Sequence, residues 1–387
     1  MNKNLWLLTL CQIFSFTAAP ITVFLSGIIG SQISPIKSLA TLPMSVSIVG
    51  IAIGSIFASK VMSVIGRKNG FITAAIGNSL ASILTAYSIM EQIFFLFCLS
   101  NFLIGFGMAF THQYRFAAAE SVKKSVAPKA ISIILLGGIV SAFIGPNLAN
   151  YTKGIVSEYL YVGSYLSLSI LTLIPIIFLF FYKDTSKLKI NIKYSGRSYL
   201  ELISQPRFLQ AIIAAAFGYA IMTFLMTATP ISMHIMEKIS LNKTSIVIQL
   251  HIVAMFLPSL ITGYLIKRYG HSNIMYVGVF LFSITIIISF FDQTFKNYLF
   301  ALIFLGLGWN FLFISGTSLL VLNYKEEEKF KAQGFNDFIV FSIHATASLA
   351  AGILLSTIGW KSINLVCIPF LILILISTYR AELVSKK

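Results

Sequence analysis

The run FITAAIGNSLASILTAYSIM at Phe71–Met90, followed after Glu91-Gln92 by IFFLFCLSNFLIGFGMAFTHQYR at Ile93–Arg115, decides which solvent this chain meets. Each run is about 20 residues, the length a helix needs to cross a hydrocarbon slab of about 30 Å. Neither shows the alternation of a strand. In lipid every backbone N–H and C=O must be satisfied within its own segment, so such runs are helices. Outward from this pair the same pattern recurs near 5–27, 38–62, 129–151 and 159–182. After a polar stretch it resumes near 207–231, 243–267, 272–291, 297–322, 335–357 and 361–380. The expected fold is an all-α membrane protein of twelve transmembrane helices.

Composition agrees. The 387 residues are 57% hydrophobic and only 10% charged, against roughly 25% charged in soluble domains. Net charge is +16, which in a soluble chain would raise nucleic acid as a partner. Here the bases lie in short gaps between apolar runs, so the lipid bilayer is the expected partner and nucleic acid is not. Cys11, Cys98 and Cys367 all fall inside apolar runs without metal or redox spacing, and they read as small buried hydrophobes.

The bases also orient the chain. With a cytoplasmic N-terminus, all Lys and Arg except Lys37, Lys153, Lys238, Lys243, Lys296 and Lys361 fall inside. That bias places the protein in a bacterial inner membrane with both termini cytoplasmic. The longest polar stretch, Lys183–Gln205, lies mid-chain. It divides the sequence into a bundle over 1–182, a cytoplasmic linker over 183–206 with a short surface helix near Ser198–Ser204, and a bundle over 207–387.

The halves echo each other. TAAPIT at Thr17–Thr22 returns as TATPIS at Thr227–Ser232, which argues that the first span is retained rather than cleaved as a signal peptide. Ile65-Gly66-Arg67 pairs with Tyr269-Gly270-His271, Gly105-Phe106-Gly107 with Gly306-Leu307-Gly308, and Lys129-Ala130 with Lys331-Ala332. Matches in one order imply two pseudo-symmetric six-helix bundles.

Two such halves, a basic central loop and glycine-basic turns after spans 2 and 8 together resemble the major facilitator superfamily. The first turn keeps Gly66, Arg67 and Lys68 of that family's loop signature, with Ser59 for its first glycine and Ser63 for its acid. The second keeps Gly263, Arg268 and Gly270, with Lys267 at the acid position. In the family the acid helps latch the cytoplasmic ends, so its absence from both copies questions the latch. Gly137, Gly138, Gly145 and Pro146 in span 5 resemble the family's glycine-proline helix signature, which the family associates with exchangers. With Gly352 in span 11, Gly145 and Pro146 would absorb motion. Asn101 stands where the family often has an arginine in span 4. The stretches Val247–Gly270, Gly306–Leu320 and Lys331–Phe338 look like a bacterial branch that includes proposed riboflavin carriers.

An ionisable group inside a span needs a reason. Asp337 is the acid that falls inside one, and it reads either as a proton-coupling site or as a partner for a neighbouring base. Arg115 and Glu120, near the end of span 4, read as a local ion pair, as partners of Asp337 across helices, or as a grip for an anionic group. His112, His251 and His344 share no metal spacing, and each is either an interhelical hydrogen-bonder or a proton relay. The resemblance implies that spans 1, 4, 7 and 10 line the central cavity. Gln12, Phe16, His112, Gln113, Tyr219, Trp309 and Asn310 then become substrate contacts, amides beside aromatics suiting a planar, partly polar organic solute.

The sequence holds no phosphate-binding glycine-lysine loop, no nucleophile–base set and no metal cluster, so neither ATP drive, enzyme activity nor a cofactor is expected. The expected function is secondary active transport of a small organic solute by alternating access, as a monomer, with protons as one candidate driving ion. Efflux of drugs or siderophores competes with vitamin-like uptake. A non-transporting receptor or scaffold is the other class, and it predicts a soluble signalling appendage that the modest central loop does not supply.

Overall fold

The structure, a computed structural model, describes residues 3–36, 39, 42–184 and 196–385. Residues 185–195 of the central linker, Lys193 included, and Lys37 lie outside them. Among the described residues every regular element is a helix.

Helices α1 (Lys3–Phe16) and α2 (Ala18–Ile33) make the first rod, and α3 (Leu42–Met90) makes the second and third. Rod four joins α4 (Phe94–His112) to α5 (Tyr114–Glu120). Helix α6 (Ala127–Thr152) is the fifth, and α7 (Val162–Leu171) with α8 (Ile174–Phe181) the sixth. After the short α9 (Tyr199–Ile203), α10 (Pro206–Pro230) is the seventh rod and α11 (Leu241–Phe256) with α12 (Ser259–Tyr269) the eighth. Helices α13 (His271–Ser289) and α14 (Phe295–Leu322) follow, and α15 (Lys329–Val366) with α16 (Ile368–Ser385) supplies the last two. These twelve rods coincide with the twelve apolar runs. Ten helical stretches among the described residues are long and apolar enough to cross a membrane, Leu42–Met90 counting as one. The first limb of α15, which carries Asn336, Asp337 and His344, is not among them.

Proline explains where rods break. It lacks the N–H for an i−4 bond and collides with that carbonyl. Pro20, Pro175, Pro258 and Pro369 follow the ends of α1, α7, α11 and α15 by two to four residues. Pro230 leads instead into a π-helical turn, Ile231–Met236. Both copies of the TAAPIT/TATPIS repeat therefore interrupt their helix. Reversals inside α3 and α15 fall on Gly66 (φ 82°) and Gly359 (φ 75°), and Gly270 (φ 86°) joins α12 to α13. A side chain would be strained at each.

Packing divides the chain into two compact units. Unit 1 holds Met1–Lys123, Ile133–Tyr194 and Gln333–Phe341, and unit 2 holds Lys124–Ser132, Ser195–Ala332 and Ser342–Lys387. The innermost stretches are Pro206–Pro230, Phe94–Glu120 and Phe295–Leu322, whereas Thr357–Val384 is mostly outward-facing.

Equivalent glycines make equivalent contacts. In unit 1 a methyl on Gly105 would lie 1.9 Å from the carbonyl oxygen of Ser47, and one on Gly107 would lie 1.9 Å from Asn78 Oδ1. In unit 2 a methyl on Gly306 would meet the carbonyl oxygen of His251 at 2.7 Å, and one on Gly308 would meet the Phe282 ring at 2.6 Å. His251 and Phe282 are the repeat partners of Ser47 and Asn78, each 204 residues on. The duplication read from the sequence is thus a duplication of helix contacts. Gly137 and Gly145 play a similar part, setting α6 against Gln12 and Ile13 of α1 and against Pro20 of α2. Gly138 is buried on the same helix. The side-chain surroundings of Pro146 and Gly352 lie outside what is described.

Candidate functional site

Gly66 ends the first limb of α3 and directs Arg67 inward, where its side chain is fully buried. Helix α4 stops at His112, and Gln113 caps it before α5 continues. That break brings Gln113, Arg115 and Glu120 to the same region. Residues 333–337 of α15 complete it, all within unit 1.

Arg67 forks onto Glu120, Nε donating to Oε2 at 2.9 Å and Nη2 to Oε1 at 2.6 Å. Its Nη2 also donates to Gln333 Oε1 at 2.6 Å, and Gln333 Nε2 donates back to Glu120 Oε1 at 3.0 Å. Beside this, Arg115 Nη2 donates to Asp337 Oδ1, which also accepts from Asn336 Nδ2 at 2.8 Å. Gln113 joins the two pairs. Its Nε2 donates to Asp337 Oδ2 at 3.0 Å, and its Oε1 accepts from Arg67 Nη1 at 3.4 Å. Two guanidinium groups and two carboxylates are thus balanced where Arg67, Arg115 and Asp337 are at most 2% exposed. Charges this deep persist only when paired and hydrogen-bonded.

Arg67 of the first loop signature is therefore not a surface residue. Ser63, at the family's acid position, donates to the carbonyl of Lys60 at 2.7 Å, and Glu120 takes the guanidinium instead. Lys68 pins the end of α8, its N–H donating to Asp184 Oδ2 and its Nζ to the carbonyl of Phe180, both at 3.0 Å. Asn101 accepts from Ser26 at 3.1 Å and donates to the carbonyl of Phe97 at 2.8 Å, so it serves as a packing amide. In the second copy Gly263 packs against the backbone of Lys129, and Arg268 lies over Tyr269.

Unit 2 holds an aromatic cluster. Trp309 and Phe313 stack at 4.9 Å, and Tyr219 stands edge-on to both at 5.4 Å. The Tyr219 ring lies 4.6 Å from that of His344, and Phe256 meets Trp309 edge-on at 5.7 Å. Trp309 Nε1 is buried and has no hydrogen-bond partner among the described residues. Asn310, one residue on, is committed to packing. It donates to the carbonyl of Met255 at 2.6 Å and to Ser259 Oγ at 2.8 Å, and it accepts from Thr262 at 2.6 Å. In unit 1 the ring of His112 sits 5.9 Å from Phe16 and 4.5 Å from Phe341. Gln12 is buried, and its Oε1 has no partner among the described residues.

Sequence reasoning missed Gln333, Asn336 and the clamp that closes the linker. Gln333, Asn336 and Asp337 lie at i, i+3 and i+4, one helical face, which is the signal that could have found them. In the clamp Arg197 holds the buried Glu328 through Nη2, through Nε at 2.8 Å and through its own backbone N–H at 2.9 Å. Lys325 N–H adds a donor at 2.9 Å, and Lys331 Nζ donates to the carbonyl of Arg197 at 2.7 Å. Helix α9 begins beside it with a Ser198–Glu201 capping box. The Arg197 side chain, helped by the backbone amides, pulls the Glu328 carboxyl from its ordinary 4.5 down to about 2. A depressed carboxyl stabilises the fold above its unfolded value and ceases to do so as pH falls through the folded one. The thermal midpoint of the wild type should therefore fall more between pH 4.5 and 2 than that of Glu328→Gln, which should already be lower at pH 7. Parallel curves would show that the clamp contributes nothing.

A model of the Major Facilitator Superfamily matches residues 5–240 and 216–386. The riboflavin transporter RfnT of Brucella anthropi is 36% identical over 97% of this chain and 94% of its own.

The chain belongs to the Major Facilitator Superfamily.

The uncharacterized MFS-type transporter YdeG of Bacillus subtilis is 25% identical over 94% of the chain and 88% of its own. Among solved structures, human MFSD10, an organic anion transporter, superposes with a TM-score of 0.77 at 11% identity, covering 97% of this chain and 99% of that one. The Escherichia coli fucose:proton symporter FucP gives 0.75 at 14% identity and 97% of both chains. The superfamily is one of secondary transporters. The protein is accordingly a multi-pass membrane carrier with two pseudo-symmetric six-helix bundles, and not an enzyme.

Proposed function

We propose that this carrier takes up a planar, partly polar aromatic solute of the flavin class, driven by protons through the Arg115–Asp337 pair. In this reading it sits in a bacterial inner membrane with both termini cytoplasmic. Residues 1–182 and 207–387 form its two bundles, and 183–206 their linker. The observation that carries the substrate class is the cluster of Tyr219, Trp309, Phe313 and His344 with a buried, unpartnered indole N–H. The riboflavin transporter among its relatives supports it. Aromatic faces stack on a tricyclic ring, and an indole donor suits a ring carbonyl. The amides of Asn310 and Gln113 are already engaged within the protein.

Expression in a riboflavin-auxotrophic bacterium tests this. Growth on micromolar riboflavin and saturable uptake of the labelled vitamin are expected. Trp309→Phe keeps an aromatic face, though a smaller one, and removes the donor. It should raise KM about tenfold with little change in maximal rate, the loss of roughly one hydrogen bond. No uptake by a correctly inserted protein, with energy-dependent extrusion of amphipathic dyes instead, would move the reading to efflux.

A further inference from the structure

Gln113 stands between two buried ion pairs with its amide polarised, the nitrogen toward Asp337 and the oxygen toward Arg67. We propose that Gln113 is a positioning residue that transmits the charge state of Asp337 to the Arg67–Glu120 pair. The proposal rests on the proton-coupling reading above.

Hydrogen-bond bookkeeping at Asp337 leads to it. Oδ1 accepts from both Arg115 and Asn336, whereas among the described residues Oδ2 accepts from Gln113 alone. An incoming proton therefore adds to Oδ2, the oxygen with the less engaged lone pairs. The proton comes from water on one side of the membrane and returns to water on the other, and no other bond is made or broken. Once Oδ2 carries hydrogen it faces the Gln113 Nε2 hydrogens, donor against donor. The amide relieves this by turning over, so that its oxygen accepts from the acid. Its nitrogen then faces Arg67 Nη1, which has no lone pair to offer. Arg67 loses an acceptor at the moment Asp337 loses its charge, and it keeps its bonds to Glu120, Gln333 and the Met62 sulfur. An amide is suited to this because its two ends have opposite hydrogen-bonding sense.

The charged groups facing Asp337 are Arg115 on α5, Arg67 on α3 and, behind Arg67, Glu120. The neighbouring titratable ring is His112, packed on Phe341 one turn along α15. Arg67 and Arg115 hold opposite ends of the network, so Gln113 is the link through which one pair senses the other. By the family resemblance Gln113 is a substrate contact. Its burial and its two engaged ends favour the relay.

The test uses the full-length carrier in proteoliposomes loaded with riboflavin, comparing equilibrium exchange with accumulation driven by an imposed pH gradient. Gln113→Met preserves length and removes both hydrogen bonds. It should keep exchange within about threefold of wild type, lower gradient-driven accumulation about tenfold and flatten its pH profile. Gln113→Glu places a second carboxyl beside Asp337 and should move the profile about one unit alkaline, because two acids then share a proton. Should either variant fold poorly, the other still reads the profile. Wild-type coupling and profile in both variants would overturn the relay, as would a tenfold rise in riboflavin KM with an unchanged profile, which would make Gln113 a substrate contact. Asp337→Asn separates the two levels, since gradient-driven accumulation in that variant would overturn proton coupling itself.

Discussion

Arg115→Met is expected to destabilise the carrier by about 3–5 kcal/mol and to stop gradient-driven transport, while Arg115→Met combined with Asp337→Leu regains most of the stability and none of the transport. The magnitude follows from burial. Removing one member of a buried pair leaves an uncompensated charge, whereas replacing both by apolar groups of similar volume is often neutral or stabilising by about 1–4 kcal/mol. Asp337 is fully buried and Arg115 only 2% exposed, so in this conformation the orphaned carboxylate of the single variant is not compensated by bulk water. Thermal unfolding of detergent-solubilised protein reads the first half, and counterflow in vesicles reads the second. A double variant as unstable as the single one would show that the pair organises packing beyond its charges. A double variant that transports would remove the pair from the mechanism.

Gly105→Val is expected to prevent stable assembly of unit 1. A Cβ there would lie 1.9 Å from the carbonyl oxygen of Ser47 and 2.9 Å from its Cα, so backbone rather than a flexible side chain must move. Overpacking typically costs about 1–3 kcal/mol, and displacing a helix along its length exceeds that range. Gly77 is the control. It is exposed on α3, a Cβ there meets nothing within 4 Å, and alanine should stabilise by up to ~1 kcal/mol through helix propensity alone. Expression level and thermal midpoint compare the two. Near-equal behaviour would mean that α3 and α4 separate more readily than the contact implies.

The number of rods and their doubled arrangement were legible because lipid imposes a length on every helix and because the glycine pairs recur at a near-constant spacing. The breaks at Thr17 and near Pro175 and Pro258 were legible only in part. A proline interrupts a helix locally, but an apolar run gives no sign of the interruption. The candidate site was half legible. Asp337, Arg115 and Glu120 stood out as charges that lipid would reject, but which base meets which acid depends on packing. Glu120 met Arg67, a residue read only as part of a loop signature. Asn310 shows the reverse difficulty. A polar amide in an apolar helix draws attention as a contact, and here its donors and acceptor hold α14 to α11 and α12. Arg197 and Glu328 lie 131 residues apart, and no local pattern announces them.

The most direct test of the whole account is simultaneous measurement of labelled riboflavin entry and internal pH in proteoliposomes carrying the purified protein, with membrane potential clamped. An inward proton gradient should drive riboflavin above its equilibrium level, with acidification of the lumen that requires riboflavin and disappears in Asp337→Asn. Riboflavin entry that merely equilibrates, with no solute-dependent proton movement, would contradict it.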